Sequence, residues 1–147
     1  MLGHESETRL KRFLVAVGDG ETDLEGARQR LCHIRDFAPH SAFQRIDRDG
    51  TNFVTSFELL TFLRDHGNFT ASENELYRLV RFFDCDEDGR LNFQDFLSML
   101  LPCEDNLLRN VTLDRPSFRV GRYDSLPRDI EFGMLEVIDK ELDLMRT

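Results

Sequence analysis

The feature that most constrains the fold of this chain is an acidic segment of twelve residues that occurs twice in its middle part. The two copies cover residues 47–58 and 84–95, so their first residues lie 37 positions apart. Asp, Asn and Gly are frequent in both copies and favour turns over helix. Apolar residues spaced by three and four flank each copy, which predicts two successive helix–loop–helix units.

Start and stop signals frame the helices of both units. Pro39 fits the first turn of a helix, and Ser72 with Glu75 makes a capping-box pattern at the start of another. Gly67 follows the helix after the first segment, and Pro102 follows the helix after the second. These signals predict four short helices around the two acidic segments.

Both acidic segments resemble the calcium-binding loop of the EF-hand superfamily, which joins two helices through twelve residues. In that family, oxygens from positions 1, 3, 5, 7, 9 and 12 surround the ion, because a hard cation prefers carboxylate and carbonyl oxygen. The resemblance implies an all-α fold built on one EF-hand pair, with a short two-stranded link where Val54 and Leu91 pair at position 8 of each loop. An N-terminal helical hairpin and a C-terminal helix are expected in addition.

In the second segment, the resemblance implies a ligand set with four carboxylates. Position 12 is Asp95 instead of the usual Glu, and its side chain is one methylene shorter. We therefore expect weaker binding of Ca²⁺ and tolerance of Mg²⁺ at this loop. The alternative is that Asn92 and Asp95 only cap the following helix. The implied ligands are Asp84, Asp86, Asp88, the carbonyl of Arg90, Asn92 and Asp95.

In the first segment, position 12 is the usual Glu, but the charge of the ligand set is lower. Thr51 is neutral at position 5, and Asn52 replaces Gly at the turn, where Asn tolerates left-handed backbone. We expect Ca²⁺ binding at the second loop before the first, and a loop in which Thr55 and Glu58 only cap a helix is the alternative here. The implied ligands are Asp47, Asp49, Thr51, the carbonyl of Phe53, Thr55 and Glu58.

The part before the repeat, residues 1–37, is predicted to form a helical hairpin. Its first helix covers residues 6–17, and a Gly-Asp-Gly sequence at 18–20 ends that helix. Its second helix is expected to begin at a capping box formed by Thr22 and Glu25.

Three further parts complete the predicted organisation. Residues 38–102 are the paired EF-hand domain, and residues 103–125 are an irregular basic connector in which Pro and Gly oppose long helices. Residues 126–147 are predicted to be a C-terminal amphipathic helix. Its apolar stripe consists of Ile130, Met134, Ile138, Leu142 and Met145.

Charge and composition narrow the classes of partner. The formal net charge of −9 argues against nucleic acid or an anionic membrane as the main partner, because both require a basic surface. The three cysteines contain no CxxC pair, so neither zinc nor a disulfide framework is expected. No apolar run approaches the roughly 18 residues of a membrane span. A cytoplasmic location is therefore expected.

Two functions suit such a chain, and the first is that of a calcium-dependent regulator. Ion binding would open the helix pair and expose an apolar groove for an amphipathic helix of a protein partner. With four Met, one dedicated partner is expected, not the promiscuous binding of Met-rich surfaces. The candidate groove residues, most of them equally expected as core, are Phe43, Phe57, Phe62, Leu76, Leu79, Phe82, Phe83, Phe96 and Met99.

The alternative function is that of a structural EF-hand subunit in a cytoskeletal or ciliary microtubule assembly, with weak or no calcium dependence. The incomplete ligand sets and the flanking helices favour it. The pattern between residues 101 and 141 faintly resembles tails of EF-hand proteins from ciliated and flagellated protists, which implies a location at the cytoskeleton or cilium. The C-terminal helix fits the protein's own groove, a neighbouring molecule or simple packing in the core.

Enzymatic activity is not expected. The four His are scattered, and the chain contains no Gly-rich phosphate loop, GxSxG or HExxH motif. Cys85 lies at position 2 of the second loop, where an ordinary exposed thiol is expected.

Overall fold

Seven α-helices account for the helical structure in residues 20–146, the part of the chain that the computed structural model describes. The predicted all-α class is confirmed, whereas the helix predicted over residues 6–17 lies outside the described part. Within that part, no helix is both long enough and apolar enough to cross a membrane. The helices are α1 (residues 20–33), α2 (Pro39–Ile46), α3 (Ser56–Asp65), α4 (Glu73–Phe83), α5 (Phe93–Leu100), α6 (Asn106–Leu113) and α7 (Arg128–Met145).

The four helices α2 to α5 begin and end where the sequence signals place them. Pro39 occupies the first turn of α2, and reciprocal capping boxes start the other three helices. Gly67 follows α3 with a positive φ of 79°, and Pro102 follows the last residues of α5. The capping boxes join Thr55 to Glu58, Ser72 to Glu75 and Asn92 to Asp95.

The two acidic loops are joined to each other by one antiparallel pair of residues. Val54 N donates to Leu91 O and Leu91 N donates to Val54 O, both at 2.8 Å. Both side chains are buried, so the link also contributes apolar area to the core. This bridge confirms the predicted two-stranded link between the loops.

The amphipathic helix α7 packs against α4 and α5, and α1 joins them in one continuous core. Gly133 of α7 lies so close to α1 that a Cβ there would be 2.9 Å from Leu31 Cδ1. The apolar groove expected between the EF-hand helices is therefore filled by the chain's own helices. The residues that fill it are Leu24, Ala27, Leu31, Ile130, Met134, Val137, Ile138 and Leu142.

Two residues predicted to line that groove lie elsewhere. Phe57 is 68% exposed and Phe82 is 73% exposed, because each projects from the outer face of its helix. The prediction was wrong for both, since apolar character alone does not say which side of a helix faces the core. Of the remaining groove residues, Phe83 is partly buried and packs against the core, and the others are buried within it.

The predicted capping box at Thr22 and Glu25 is wrong. Residues 20–25 all belong to α1, so Thr22 lies inside the helix and does not precede it. Glu25 instead accepts hydrogen bonds from the backbone amides of Cys103, at 2.9 Å, and Glu104, at 3.1 Å. A local pattern was overridden because a buried carboxylate found amide donors far away in the sequence.

The connector after α5 is more ordered than predicted. Asp105 caps α6 by accepting a hydrogen bond from Leu108 N at 2.9 Å, and α6 buries Leu108 and Thr112. Residues 103–125 are therefore not irregular throughout, because eight residues without Pro or Gly suffice for two helical turns. The division of the chain into four parts stays a prediction.

Two buried ion pairs fix α7 in place. Arg28 of α1 donates to Glu141 at 2.6 Å, and Arg45 of α2 donates to Glu131 at 2.8 Å. Burial raises the pKa of Glu141 to about 7, although Arg28 acts in the opposite direction. The cost of removing both charges from water cancels much of the attraction within such a buried pair. We therefore interpret the two pairs as fixing the position of α7 more than adding net stability.

Candidate metal centre

The first loop, residues 47–58, brings three carboxylates together. Ligand oxygens of Asp47, Asp49 and Glu58 all lie within 4.8 Å of one another. Asp47 and Glu58 are only 7% and 8% exposed, whereas Asp49 faces solvent. Three negative groups at this spacing repel one another, and a divalent cation would remove that repulsion.

The turn of the first loop holds Asp47 in place through backbone amides. Asp47 Oδ2 accepts from Asn52 N at 2.8 Å, and Asp47 Oδ1 accepts from Thr51 N at 3.2 Å. Gly50 and Asn52 make these contacts possible because both have positive φ, 68° and 66° respectively. The expectation that Asn52 supports a left-handed turn is thus confirmed.

Glu58 has one carboxylate oxygen engaged and one without a hydrogen-bond partner. Its Oε1 accepts from Thr55 N at 3.1 Å, while its Oε2 is buried and has no partner among the described residues. Burial, together with the charges of Asp49 and Asp47, raises the pKa of Glu58 to about 7. A buried, unpartnered oxygen on a side chain that lies beside two carboxylates fits the role of a cation ligand.

Burial also raises the pKa of Asp47, and a side-chain hydrogen bond with Asp49 adds to that effect. The same hydrogen bond lowers the pKa of Asp49. A cation between these two carboxylates would favour their charged forms and compete with protons.

The remaining predicted ligands of the first loop hydrogen-bond within the loop. Thr51 Oγ1 donates to Phe53 O at 3.2 Å, and Thr55 Oγ1 donates to Glu58 Oε1 at 3.3 Å. All six predicted ligand positions thus belong to one local network of oxygens.

In the second loop, residues 84–95, the carboxylates are held by separate local hydrogen bonds. Asp84 Oδ2 accepts from Gly89 N at 2.7 Å, and Asp84 Oδ1 is buried without a partner among the described residues. Asp86 accepts from Asn92 Nδ2 at 3.1 Å. Glu87 adopts a positive φ of 57°, which costs a non-Gly residue on the order of 1 kcal/mol. This loop thus has an unpartnered carboxylate oxygen, as the first loop does.

A cationic side chain already contacts one predicted ligand of the second loop. Arg90 Nε lies 3.3 Å from Asp88 Oδ2, and the Arg90 guanidinium lies 3.7 Å from the centre of the Phe53 ring. Burial alone would raise the pKa of Asp88, but the amide and side chain of Arg90 outweigh it and lower that pKa. Arg90 therefore competes with a cation for Asp88 and links position 7 of one loop to position 7 of the other.

Position 12 of the second loop caps the following helix. Asp95 is 3% exposed, its Oδ2 accepts from Asn92 N at 3.3 Å, and its amide donates to Asn92 Oδ1 at 2.8 Å. In the part of the chain that the structure describes, the three-carboxylate cluster occurs in the first loop and not in the second. The loop with more carboxylates is thus not the one that assembles them.

Sequence reasoning missed the contacts between the first loop and the connector. Arg48, at position 2, donates to the carbonyls of Arg122 at 2.6 Å and Asp124 at 2.7 Å. The excess of Arg in the connector was visible in the sequence, but no local signal says where that segment lies.

Comparison with known proteins agrees with this geometry. Residues 40–101 match the family described as "EF-hand domain pair". Human calcium-binding protein 8 is 34% identical over 93 residues, which is 63% of this chain and 33% of that protein. Calcium-binding protein 7 of Rattus norvegicus is 38% identical over 61 residues, which is 42% of this chain and 28% of that protein. Calcium-dependent protein kinase 21 of Arabidopsis thaliana is 29% identical over 102 residues, 65% of this chain and 19% of the kinase.

The chain spans only about a fifth to a third of the length of these curated relatives. The kinase match is confined to that share, so catalysis by the relative is not carried over, and the absence of enzymatic activity stays a prediction. The family match at residues 40–101 covers both loops and nearly all of the four helices around them. Residues 40–101 of this chain are therefore an EF-hand domain pair.

Proposed function

We propose that this protein binds Ca²⁺ through its EF-hand pair, with the first loop as the better prepared site. The observation that carries the proposal is the cluster of Asp47, Asp49 and Glu58, with ligand oxygens within 4.8 Å of one another. This order reverses the expectation from charge count alone, because oxygens already gathered need less rearrangement on binding. The relatives named as calcium-binding proteins support the choice of ion.

Both loops contribute to the proposal, with different selectivity. The first loop offers a long carboxylate at position 12, which suits the larger coordination number of Ca²⁺. The second loop offers the shorter Asp95 and accommodates Mg²⁺ as well. The proposed first-loop ligands are Asp47, Asp49, Thr51, the Phe53 carbonyl, Thr55 and Glu58. The proposed second-loop ligands are Asp84, Asp86, Asp88, the Arg90 carbonyl, Asn92 and Asp95.

The role of the bound ion, in this proposal, is to control access to the apolar surface under α7. Arg45, two residues before the ligand Asp47, holds Glu131 at the start of α7 at 2.8 Å. A shift of the first loop toward an ion therefore acts on α7 through a direct contact. Release of α7 would leave room for an amphipathic helix of a protein partner.

The second candidate is a constitutive structural subunit of a cytoskeletal or ciliary assembly in the cytoplasm. One observation favours it, namely that α7 is held by buried ion pairs at both ends, through Glu131 and Glu141. In that case the ion stabilises the fold and the apolar surface stays covered.

Calorimetric titration with Ca²⁺ and Mg²⁺ tests the binding. Glu58→Ala should remove the tighter calcium site, Asp84→Ala should remove the weaker one, and Glu73→Ala, an exposed helical control, should change neither. Absence of calcium binding in the unmodified protein would refute the proposal. Loss of the tighter site in Asp84→Ala alone would refute the order of the loops.

Fluorescence of a hydrophobic dye separates the two candidate roles. If calcium releases α7, dye fluorescence should rise on calcium addition and stay low with Glu58→Ala. A Val137→Asp variant, which places a charge in the buried face of α7, should raise dye fluorescence without calcium. If the unmodified protein binds calcium and its dye fluorescence does not change, the structural subunit is favoured.

A further inference from the structure

A segment of the connector, residues 118–124, lies along α2 and the first loop, and we call it the strap. Ser41 Oγ donates to Phe118 O at 2.8 Å, and Phe118 N donates back to Ser41 Oγ at 2.9 Å. Val120 N donates to Gln44 Oε1 at 2.9 Å. These contacts, separated by more than 70 residues in sequence, fix the strap beside the helix that leads into the first loop.

The first loop itself fastens the other end of the strap. Arg48 donates through one guanidinium nitrogen to the carbonyls of Gly121, Arg122 and Asp124 at 3.3, 2.6 and 2.7 Å. Asp124 also accepts from Gly121 N at 2.8 Å, which closes a turn in the strap. The strap is thus held at a defined position relative to the carboxylates of the loop.

This position places two arginines beside the cation ligands. Arg119 and Arg122 line a cleft of about 300 Å³ together with Asp47 and Asp49. Both arginines are exposed, whereas Asp47 is buried. Two positive charges in the lining of a cation site repel an incoming divalent ion and stabilise the carboxylates in its absence.

We propose that the strap is a built-in antagonist of cation binding, which lowers the calcium affinity of the first loop by holding Arg119 and Arg122 in its cleft. The inference rests on the proposed calcium binding at that loop. It explains why a basic segment is fastened by several hydrogen bonds to an acidic loop in a chain of net charge −9. The affinity of the first loop is then set jointly by its own ligands and by a segment some 60 to 75 residues away in the sequence.

The test removes the two charges and leaves the strap in place. Arg119→Gln with Arg122→Gln keeps the contacts of the strap, since these use main-chain groups, among them the Arg122 carbonyl, and neither arginine side chain. The matched control is Arg35→Gln with Arg78→Gln, which removes the same charge from exposed positions outside the cleft. Calcium titration by calorimetry is the measurement, with Glu58→Ala added to identify the first-loop site.

We expect the cleft variant to bind calcium about three- to tenfold more tightly at the first loop in 0.15 M salt, and the control to change by less than twofold. The difference should shrink at 1 M salt, where the Debye length is about 3 Å. Equal affinities of the unmodified protein and the cleft variant would overturn the antagonist role and leave calcium binding intact. No calcium binding in any variant would refute the proposed function as well.

Discussion

The two loops of this EF-hand pair differ in a way that separates the number of ligands from their arrangement. The second loop has four carboxylates in its predicted ligand set, yet Asp88 contacts Arg90 and Asp95 caps a helix. The first loop has three, and all three converge within 4.8 Å. The comparison shows that pre-assembly of a metal site depends on what surrounds each carboxylate, not on charge count.

The surroundings of the two loops differ because their neighbours differ. The first loop is bonded to the strap through Arg48 and its Asp47 is buried, whereas Asp84, at the same position of the second loop, is only partly buried. Burial strengthens electrostatic interactions among the clustered groups, and solvent weakens them in the second loop. The same environment that assembles the first site also adds the opposing arginines.

The largest expected effect comes from shortening position 12 of the first loop. Glu58→Asp shortens the side chain that contributes an oxygen to the cluster, and the loss of one charged contact worth about 2 kcal/mol corresponds to about thirtyfold weaker calcium binding. Calorimetry measures the change, with Glu73→Asp as the control. Unchanged affinity would show that Glu58 acts only as a helix cap.

The reciprocal change lengthens position 12 of the second loop. Asp95→Glu should raise calcium affinity there about tenfold and favour Ca²⁺ over Mg²⁺, because the longer side chain offers both oxygens more easily. Glu also suits the third position of a capping box, so the start of α5 should survive. Gln94→Glu adds a charge at the adjacent exposed position and should have a smaller effect on calcium affinity. A larger gain from Gln94→Glu would point to local charge alone.

Lower pH should weaken calcium binding at the first loop. With the pKa of Glu58 at about 7, protons compete with the ion, and calcium affinity should fall somewhat less than tenfold from pH 8 to pH 6. In the absence of calcium, lower pH should instead raise the folding stability that this group contributes. The folded protein binds this proton more tightly than the unfolded chain, so stability contributed by the group is present below about pH 4.5 and lost as pH rises to about 7.

Thermal unfolding in chelator between pH 5 and pH 8 checks the second part. The Glu58→Gln variant has no carboxyl to titrate at this position, so its stability should vary less over that range. An identical pH dependence in the variant and the unmodified protein would assign the slope to other groups.

The smallest expected effect comes from removing Arg90, which contacts Asp88 in the second loop. Arg90→Gln should free Asp88 and strengthen calcium binding at the second loop about threefold, since an exposed ion pair contributes less than about 1 kcal/mol. The first loop should change less, and Arg64→Gln on α3 serves as the control. Weaker binding at both loops would instead show that the stacking of Arg90 on Phe53 supports the pair as a unit.

Local patterns in the sequence predicted much of the EF-hand region correctly. The capping box at Ser72 and Glu75 and the turn at Asn52 were found from short-range signals, whereas the pairing of Val54 with Leu91 followed from the resemblance to EF-hand loops. The first two depend on residues whose backbone preferences or spacing act within a few positions. The failures involve partners far away, as for Glu25, which bonds the amides of Cys103 and Glu104 and does not cap its own helix.

By itself, the sequence determined the class of fold, the two loops and the identity of the oxygens available to a cation, because helix periodicity and turn chemistry are local properties. Only the tertiary structure decided that α7 covers the apolar groove and that the three carboxylates of the first loop converge. It also decided that the strap places Arg119 and Arg122 beside them. These outcomes depend on the packing of distant segments, and no short stretch of sequence encodes which distant segment will supply a neighbour.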